Sequence, residues 1–205
     1  MKLKTGIEIY MGLPGAGKST MASVLAMKHI KAGYKVYSNF PIHGTFKLDV
    51  KIDIMRYNLE NALIIIDEAG IEHDNRDWQK FTKEYTEFYK THRHYKLRVV
   101  LFTQYWDDVD KKIRNLTNKI YVVRKSLIPY CIKCKEIKPF LGISEEKQIV
   151  MQYDFKPIYM LGTKLYFVYF ARKMFDSWSH RELPEKEEWE VYTIIDKKKQ
   201  IKQYG

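Results

Sequence analysis

Gly12-Leu13-Pro14-Gly15-Ala16-Gly17-Lys18-Ser19 is an unbroken G-x-x-x-x-G-K-[ST] run, which fixes the class of ligand before anything else is known. Gly6-Ile7-Glu8-Ile9-Tyr10-Met11 leads into it as an apolar strand, and residues 20–28 lead out as a helix. Strand, glycine-rich loop and helix together form the context in which such a run cradles phosphate instead of merely turning the chain. The glycines let successive N–H groups face inward, and the helix adds its positive end. A nucleoside triphosphate, taken as ATP, is therefore the expected ligand of Gly12, Leu13, Pro14, Gly15, Ala16, Gly17, Lys18, Ser19 and Thr20. Lys18 is expected to reach the β- and γ-phosphates, and the Ser19 hydroxyl to ligate Mg²⁺.

Outward from the loop, strand and helix alternate, the pattern of a mainly parallel sheet covered on both faces. Tyr34-Lys35-Val36-Tyr37-Ser38-Asn39 reads as a short strand, and 43–61 as irregular. Ala62-Leu63-Ile64-Ile65-Ile66 is uniformly apolar, as a doubly buried central strand should be. A helix is expected over 78–91, with Phe81, Tyr85, Phe88 and Tyr89 on one face. A strand follows at Arg98-Val99-Val100-Leu101-Phe102, then a short helix at 107–115 and a strand at 119–124. Beyond Lys125 the pattern changes: 147–154 and 164–170 read as an antiparallel hairpin, 172–181 as helical, and 197–202 as a basic tail. The division expected is a core of 1–126 and a β-rich extension of 127–205 packed on it.

Two further groups belong with the loop. The central strand ends in Asp67-Glu68, at the sheet edge where ligands of such folds bind. Asp67 is expected to hold Mg²⁺ through its water shell, opposite Ser19, and Glu68 to polarise an attacking water. The next strand ends in Thr103-Gln104; if it lies between the first strand and the Asp67 strand, Gln104 stands beside the γ-phosphate. In His92-Arg93-His94 the two histidines lack further ligands for zinc. Arg93 is the first candidate for a guanidinium completing the site, from a neighbouring subunit; Arg76 and Arg114 are alternatives.

The chain has 205 residues and a formal net charge of +11, an excess that favours a polyanionic partner. No apolar run reaches the roughly 20 residues of a membrane span. With no room for a leader before the first strand, the expected location is the cytoplasm, with peripheral attachment at the inner membrane as a variant. Cys131 and Cys134 form a single C-x-x-C, read as a turn with two incidental thiols, a shared metal or a local disulfide being the alternatives.

The phosphate loop, Ile64-Ile65-Ile66-Asp67-Glu68-Ala69-Gly70, Arg76, the aromatic helix into His92-Arg93-His94, and Leu101-Phe102-Thr103-Gln104 followed by 109–116 resemble the Zot (zonular occludens toxin)-type ATPases of the FtsK–HerA superfamily. The resemblance covers roughly residues 5–126. It implies an α/β P-loop NTPase fold of the RecA/ASCE type. It also implies a viral assembly or genome-packaging ATPase working as a homo-oligomeric ring, of six subunits, on DNA held without regard to sequence. Virion or portal-type proteins are further partners of such a motor. Zot-type proteins of filamentous phages usually continue into a membrane-spanning helix, whereas this chain shows none, so the expectation shifts to a packaging motor of a small icosahedral virus. Lys111, Lys112, Lys125, Lys133 and Lys135 are the candidate DNA contacts. A nucleotide-dependent assembly scaffold and a small-substrate kinase are the competing functions.

Overall fold

Strand β1 (Gly6–Met11) is buried at every position, because it runs through the middle of the sheet with a strand on either side. The computed structural model describes residues 3–54, 56–67, 83–143, 149–153, 163–171 and 174. Helix α1 (Lys18–Lys31) follows the glycine loop, and β2 (Lys35–Ser38) and β3 (Phe46–Lys47) follow α1. Helix α2 (Val50–Asp53), β4 (Ala62–Ile66), helix α3 (Lys83–Thr91) and β5 (Arg98–Thr103) come next. A 3₁₀ turn (Trp106–Asp108) and helix α4 (Lys111–Leu116), capped by the Asp110 carboxylate on the Lys112 N–H, lead into β6 (Lys119–Lys125). Strands β7 (Cys131–Ile137), β8 (Pro139–Ile143), β9 (Ile149–Tyr153) and β10 (Thr163–Phe167) complete the described elements.

The main sheet has the order β10-β7-β6-β1-β5-β4-β2-β3. From β6 to β3 every pair is parallel, while β7 joins β6, and β10 joins β7, in antiparallel register. One apolar layer (Met21, Ala22, Leu25 and Ala26 of α1 on Tyr10, Leu63, Ile65, Val100 and Phe102) covers one face. The other (Ile7, Ile9, Ile64, Ile66, Val99 and Leu101 with Phe88, Tyr89 and Ile113) covers the reverse. This is the α/β architecture read from the alternating pattern, with α1 and the later helices on opposite faces. β5 lies between β1 and β4, the placement that Gln104 required.

Two local expectations are corrected. The segment 147–154 does not pair with 164–170: β9 pairs with β8 in a separate two-stranded sheet, and β10 pairs with β7. The C-x-x-C lies in a strand, not a turn. Residues three apart in a strand point to opposite faces, so Cys131 and Cys134 cannot bridge each other or share an ion within one chain. Cys134 is buried against the α1 layer, which pushes its thiol up to about 12. The helix expected over 78–91 is described from Lys83 on; 172–173, 175–181 and the basic tail lie outside the described residues.

Beneath α1 the core holds charge. Arg98 of β5 donates to Glu8 of the adjoining β1 at 2.7 Å, with side-chain exposures of 14% and 8%. Tyr10 also donates to Glu8 (3.2 Å), and Arg98 meets Nε2 of His29 at 3.0 Å. The opposite nitrogen, Nδ1, sits 2.7 Å from the Leu25 carbonyl. A neutral His29 satisfies both contacts, donating from Nδ1 and accepting at Nε2.

Burial lowers the pKa of His29 and of His92 below the ordinary 6.5. The unfolded chain therefore binds more protons than the folded one once pH falls through 6.5, and stability drops over that interval. The melting temperature should fall between about pH 7.5 and about pH 5.5, and fall less in His29→Gln, whose amide does not titrate. A profile equally steep in that variant would remove His29 as a source of acid sensitivity.

Candidate functional site

Parallel strands end together, so the residues following β1, β4 and β5 meet at one edge of the sheet. Gly12 opens the loop there, its N–H bonded to the Thr103 carbonyl of β5 at 3.2 Å. The loop closes on Gly17, in the left-handed region at φ 101°, which starts α1; its carbonyl accepts from the Met21 N–H at 2.8 Å. No acidic residue stands in the first turn of α1, so the positive end of the helix is left for an anion. Lys18 Nζ donates to the Gly12 carbonyl at 2.8 Å and approaches that of Leu13 at 3.4 Å, which places the ammonium across the mouth of the loop.

Across this edge Ser19 Oγ donates to Asp67 Oδ2 at 3.2 Å, although β1 and β4 are separated by β5. A hydroxyl and a carboxylate at this distance are the pair of oxygens that Mg²⁺ takes in nucleotide sites. Asn39, just after β2, grips the Asp67 backbone from both directions. Its amide donates to the Asp67 carbonyl at 3.0 Å, and its Oδ1 accepts the Asp67 N–H at 2.8 Å. Asn39 was not singled out in the sequence, although its place at the end of a parallel strand is the same signal that identified Asp67.

The other expected site residues divide by position. Gln104 is half-buried at the end of β5, directly after the residue that binds Gly12. Glu68 and Arg76 lie outside the described residues. Arg93 is exposed in the turn between α3 and β5, at the entrance edge of the sheet. The six residues of β5 put it roughly 20 Å from the loop edge, so this chain does not bring it to Lys18. Arg114 is bonded to Asp107 at 2.5 Å and lies over the Trp106 ring. His92 is buried, with Nδ1 against the Tyr89 carbonyl at 2.6 Å, and serves the core. Among the described residues no cluster of three or more His, Cys, Asp or Glu is arranged to hold a metal. Nor is any helix among them long and apolar enough to cross a membrane.

Residues 45–140 match the family model of zonular occludens toxin (Zot). The resemblance to Zot-type P-loop ATPases therefore has support outside the phosphate loop, since the match begins beyond it and takes in Asp67, Arg93 and Gln104. Among solved structures, the N-terminal domain of zonular occludens toxin from Neisseria meningitidis has a TM-score of 0.50 at 21% identity. It covers 64% of this chain and 83% of its own. That likeness shows the P-loop NTPase-type fold. The DNA-packaging ATPase B204 from Sulfolobus turreted icosahedral virus is 16% identical over 75% of this chain and 98% of its own, at a TM-score of 0.47. B204 from Sulfolobus turreted icosahedral virus 2, in complex with ATP-γS, is 16% identical over 72% and 96%, at 0.48. No curated protein matches the chain.

The seat of the loop predicts its tolerance. A Cβ at Gly17 would lie 2.8 Å from Ile132 Cγ2, on a backbone conformation that L side chains seldom adopt. Gly17→Ala should lower unfolding free energy by about 1–3 kcal/mol in urea titration. Gly33→Ala, also at positive φ but with nothing within 4 Å, should cost less. Equal costs would show that contact with Ile132 contributes nothing.

Proposed function

We propose that the chain is a Mg²⁺-dependent ATPase that moves DNA during virus assembly, working as a ring of identical subunits. The observation that carries this reading is the meeting of Ser19 and Asp67 at 3.2 Å beside Lys18. Lys18 and Ser19, neighbours in the loop, meet a carboxylate 48 positions further along the chain, and on this reading a triphosphate and its metal bind between them. The Zot match across Asp67 and Gln104 supports the same reading independently of the loop.

The residues divide the work as follows. Loop N–H groups of 12–20 and the Lys18 ammonium hold the phosphates, and Ser19 and Asp67 hold Mg²⁺. When bound, the ion draws negative charge off the β- and γ-phosphate oxygens. Glu68 accepts the proton of the attacking water, and Gln104 exchanges hydrogen bonds as the terminal phosphate departs. Asn39 keeps the Asp67 peptide from turning its carboxylate away. Arg93 serves a neighbouring subunit's site.

The net charge of +11 supports a polyanionic partner. On the sheet extension Arg124 of β6 stands directly opposite Lys133 of β7, a like-charge pair that destabilises a sheet in isolation and is relieved by phosphate. Lys111 and Lys112 are exposed at the start of α4. Residues 127–205 are on this reading an extension of the 1–126 core, consistent with β7 and β10 continuing its sheet.

Steady-state ATP hydrolysis with and without DNA tests the proposal. Turnover should rise with DNA and lose that stimulation as salt increases, because phosphate contacts release counterions. Hydrolysis indifferent to DNA would leave an assembly scaffold, and transfer to an added acceptor would make the chain a kinase. Lys18→Ala should lose ATP affinity. Glu68→Gln should bind ATP and turn it over about 10²–10⁴-fold more slowly. Asn39→Ala should weaken ATP binding in the presence of Mg²⁺ and leave Mg²⁺-free binding unchanged; equal effects in both conditions would refute its role at Asp67.

A further inference from the structure

The two sides of β1 are unlike, and that difference orients a bound triphosphate, given the phosphate-site reading above, on which this inference rests. On one side stand β5 and β4, carrying Gln104 and Asp67; on the other stand β6 and β7. The metal-binding, γ-phosphate end faces Asp67. The nucleoside end must therefore leave over β6.

What it meets there is recorded on the loop itself. Met11, the last residue of β1, pairs with Val122, so β6 runs three residues further alongside the loop. The Val123 carbonyl lies 2.7 Å from where a Cβ on Gly12 would stand. Lys125 Nζ lies 3.7 Å from that of Gly15, and Ile132 Cγ2 2.8 Å from that of Gly17. The β6–β7 hairpin thus walls the loop at three points. Tyr130, in the turn of this hairpin, is two residues from Ile132 along the chain and 50% exposed. Its carbonyl accepts the Val168 N–H at 2.8 Å, which brings the segment after β10 alongside. The rings of Tyr130 and Tyr169 meet edge to face at 5.1 Å. Val168 and Ala171 are buried with the α1 layer, so this aromatic segment is anchored to the same helix that the loop begins.

We propose that the β6–β7 turn and the segment after β10 form the nucleoside subsite. Tyr130 and Tyr169 offer the base a stacking face, and Lys125 adds a second cation on the nucleoside side of the phosphates. Such rings stack on any base, so the subsite favours a nucleoside triphosphate over bare polyphosphate and discriminates weakly among bases. Lys125 then belongs to the nucleotide site and not to the DNA contacts.

The test measures dissociation constants of the full chain for ATP and for inorganic tripolyphosphate, both with Mg²⁺. Tyr130→Ala and Tyr169→Ala should weaken ATP by roughly five- to a hundredfold and leave tripolyphosphate within about twofold. Tyr130→Phe and Tyr169→Phe, which keep a stacking face, should bind ATP as the unaltered chain does. Lys125→Gln should weaken both ligands. If the alanine variants bind ATP normally while losing DNA affinity or self-association, those rings serve a polymer or a second copy, and the nucleoside proposal is overturned. Equal loss of both ligands in the alanine variants assigns the tyrosines to support of the loop and also overturns it. Should Lys18→Ala bind both ligands normally, the phosphate-site reading itself fails, an outcome separate from any result at the tyrosines.

Discussion

The phosphate loop sits in a seat as narrow as a bare peptide. A carbonyl of β6 approaches it at Gly12 and a methyl of β7 at Gly17, each closer than a Cβ would tolerate. This constraint determines more than residue choice within the loop. It requires β6 and β7 to lie flat against the loop, so these two strands form a wall of the loop's seat. The loop in turn starts α1, whose apolar side covers β1, β4 and β5. Helix, loop and hairpin are consequently one packed unit, in which a shift at the hairpin is felt at the phosphate cradle.

A second requirement is to hold Asp67 still. A carboxylate at the end of an entirely apolar strand is free to turn unless its peptide is fixed, and Asn39 fixes it through both backbone groups. The same economy appears below the sheet, where Arg98 and Glu8 pair across β1 and β5. Losing one partner of so buried a pair leaves the other charge without compensation, typically at about 3–5 kcal/mol. The two strands that carry the loop and Gln104 are thereby tied in register at their far ends. Charge at one end of the strands and a hydroxyl–carboxylate contact at the other frame the same apolar middle.

Legibility in the sequence follows the kind of interaction. β4 and residues 99–102 of β5 were readable because doubly buried parallel strands show as unbroken apolar runs, and β1 because Glu8 alone interrupts one. Ser19, Lys18 and Asp67 stood out because phosphate and metal chemistry demand particular groups at the ends of such runs, and the structure brings Ser19 Oγ to Asp67 Oδ2. β7 was not: Cys131-Ile132-Lys133-Cys134-Lys135-Glu136-Ile137 is a strand whose charged residues break the apolar pattern and whose two cysteines imitate a motif. The choice of partners among 131–167 is non-local, and periodicity carries no information about it, so β10 was assigned to the wrong neighbour. The Glu8–Arg98 pair escaped notice for a related reason: a charge within an apolar strand looks like an exception until its partner on the adjacent strand is known.

The position of Arg93 constrains any completed active site. Phosphate loop and Asp67 lie at the edge where β1, β4 and β5 end, whereas Arg93 precedes β5. The length of β5, about 20 Å, exceeds the reach of an arginine side chain, so no rearrangement short of unfolding the sheet brings Arg93 to its own loop. Arg114 stands nearer but is engaged with Asp107 and Trp106. If Arg93 is the guanidinium that finishes the site, it must come from another copy whose entrance edge faces this chain's loop edge. Contacts of that kind are head-to-tail, and head-to-tail contacts close into rings when the rotation between copies permits. A requirement for Arg93 in catalysis and a ring of subunits are therefore not independent features: the first, in this fold, entails a contact of the kind that builds the second.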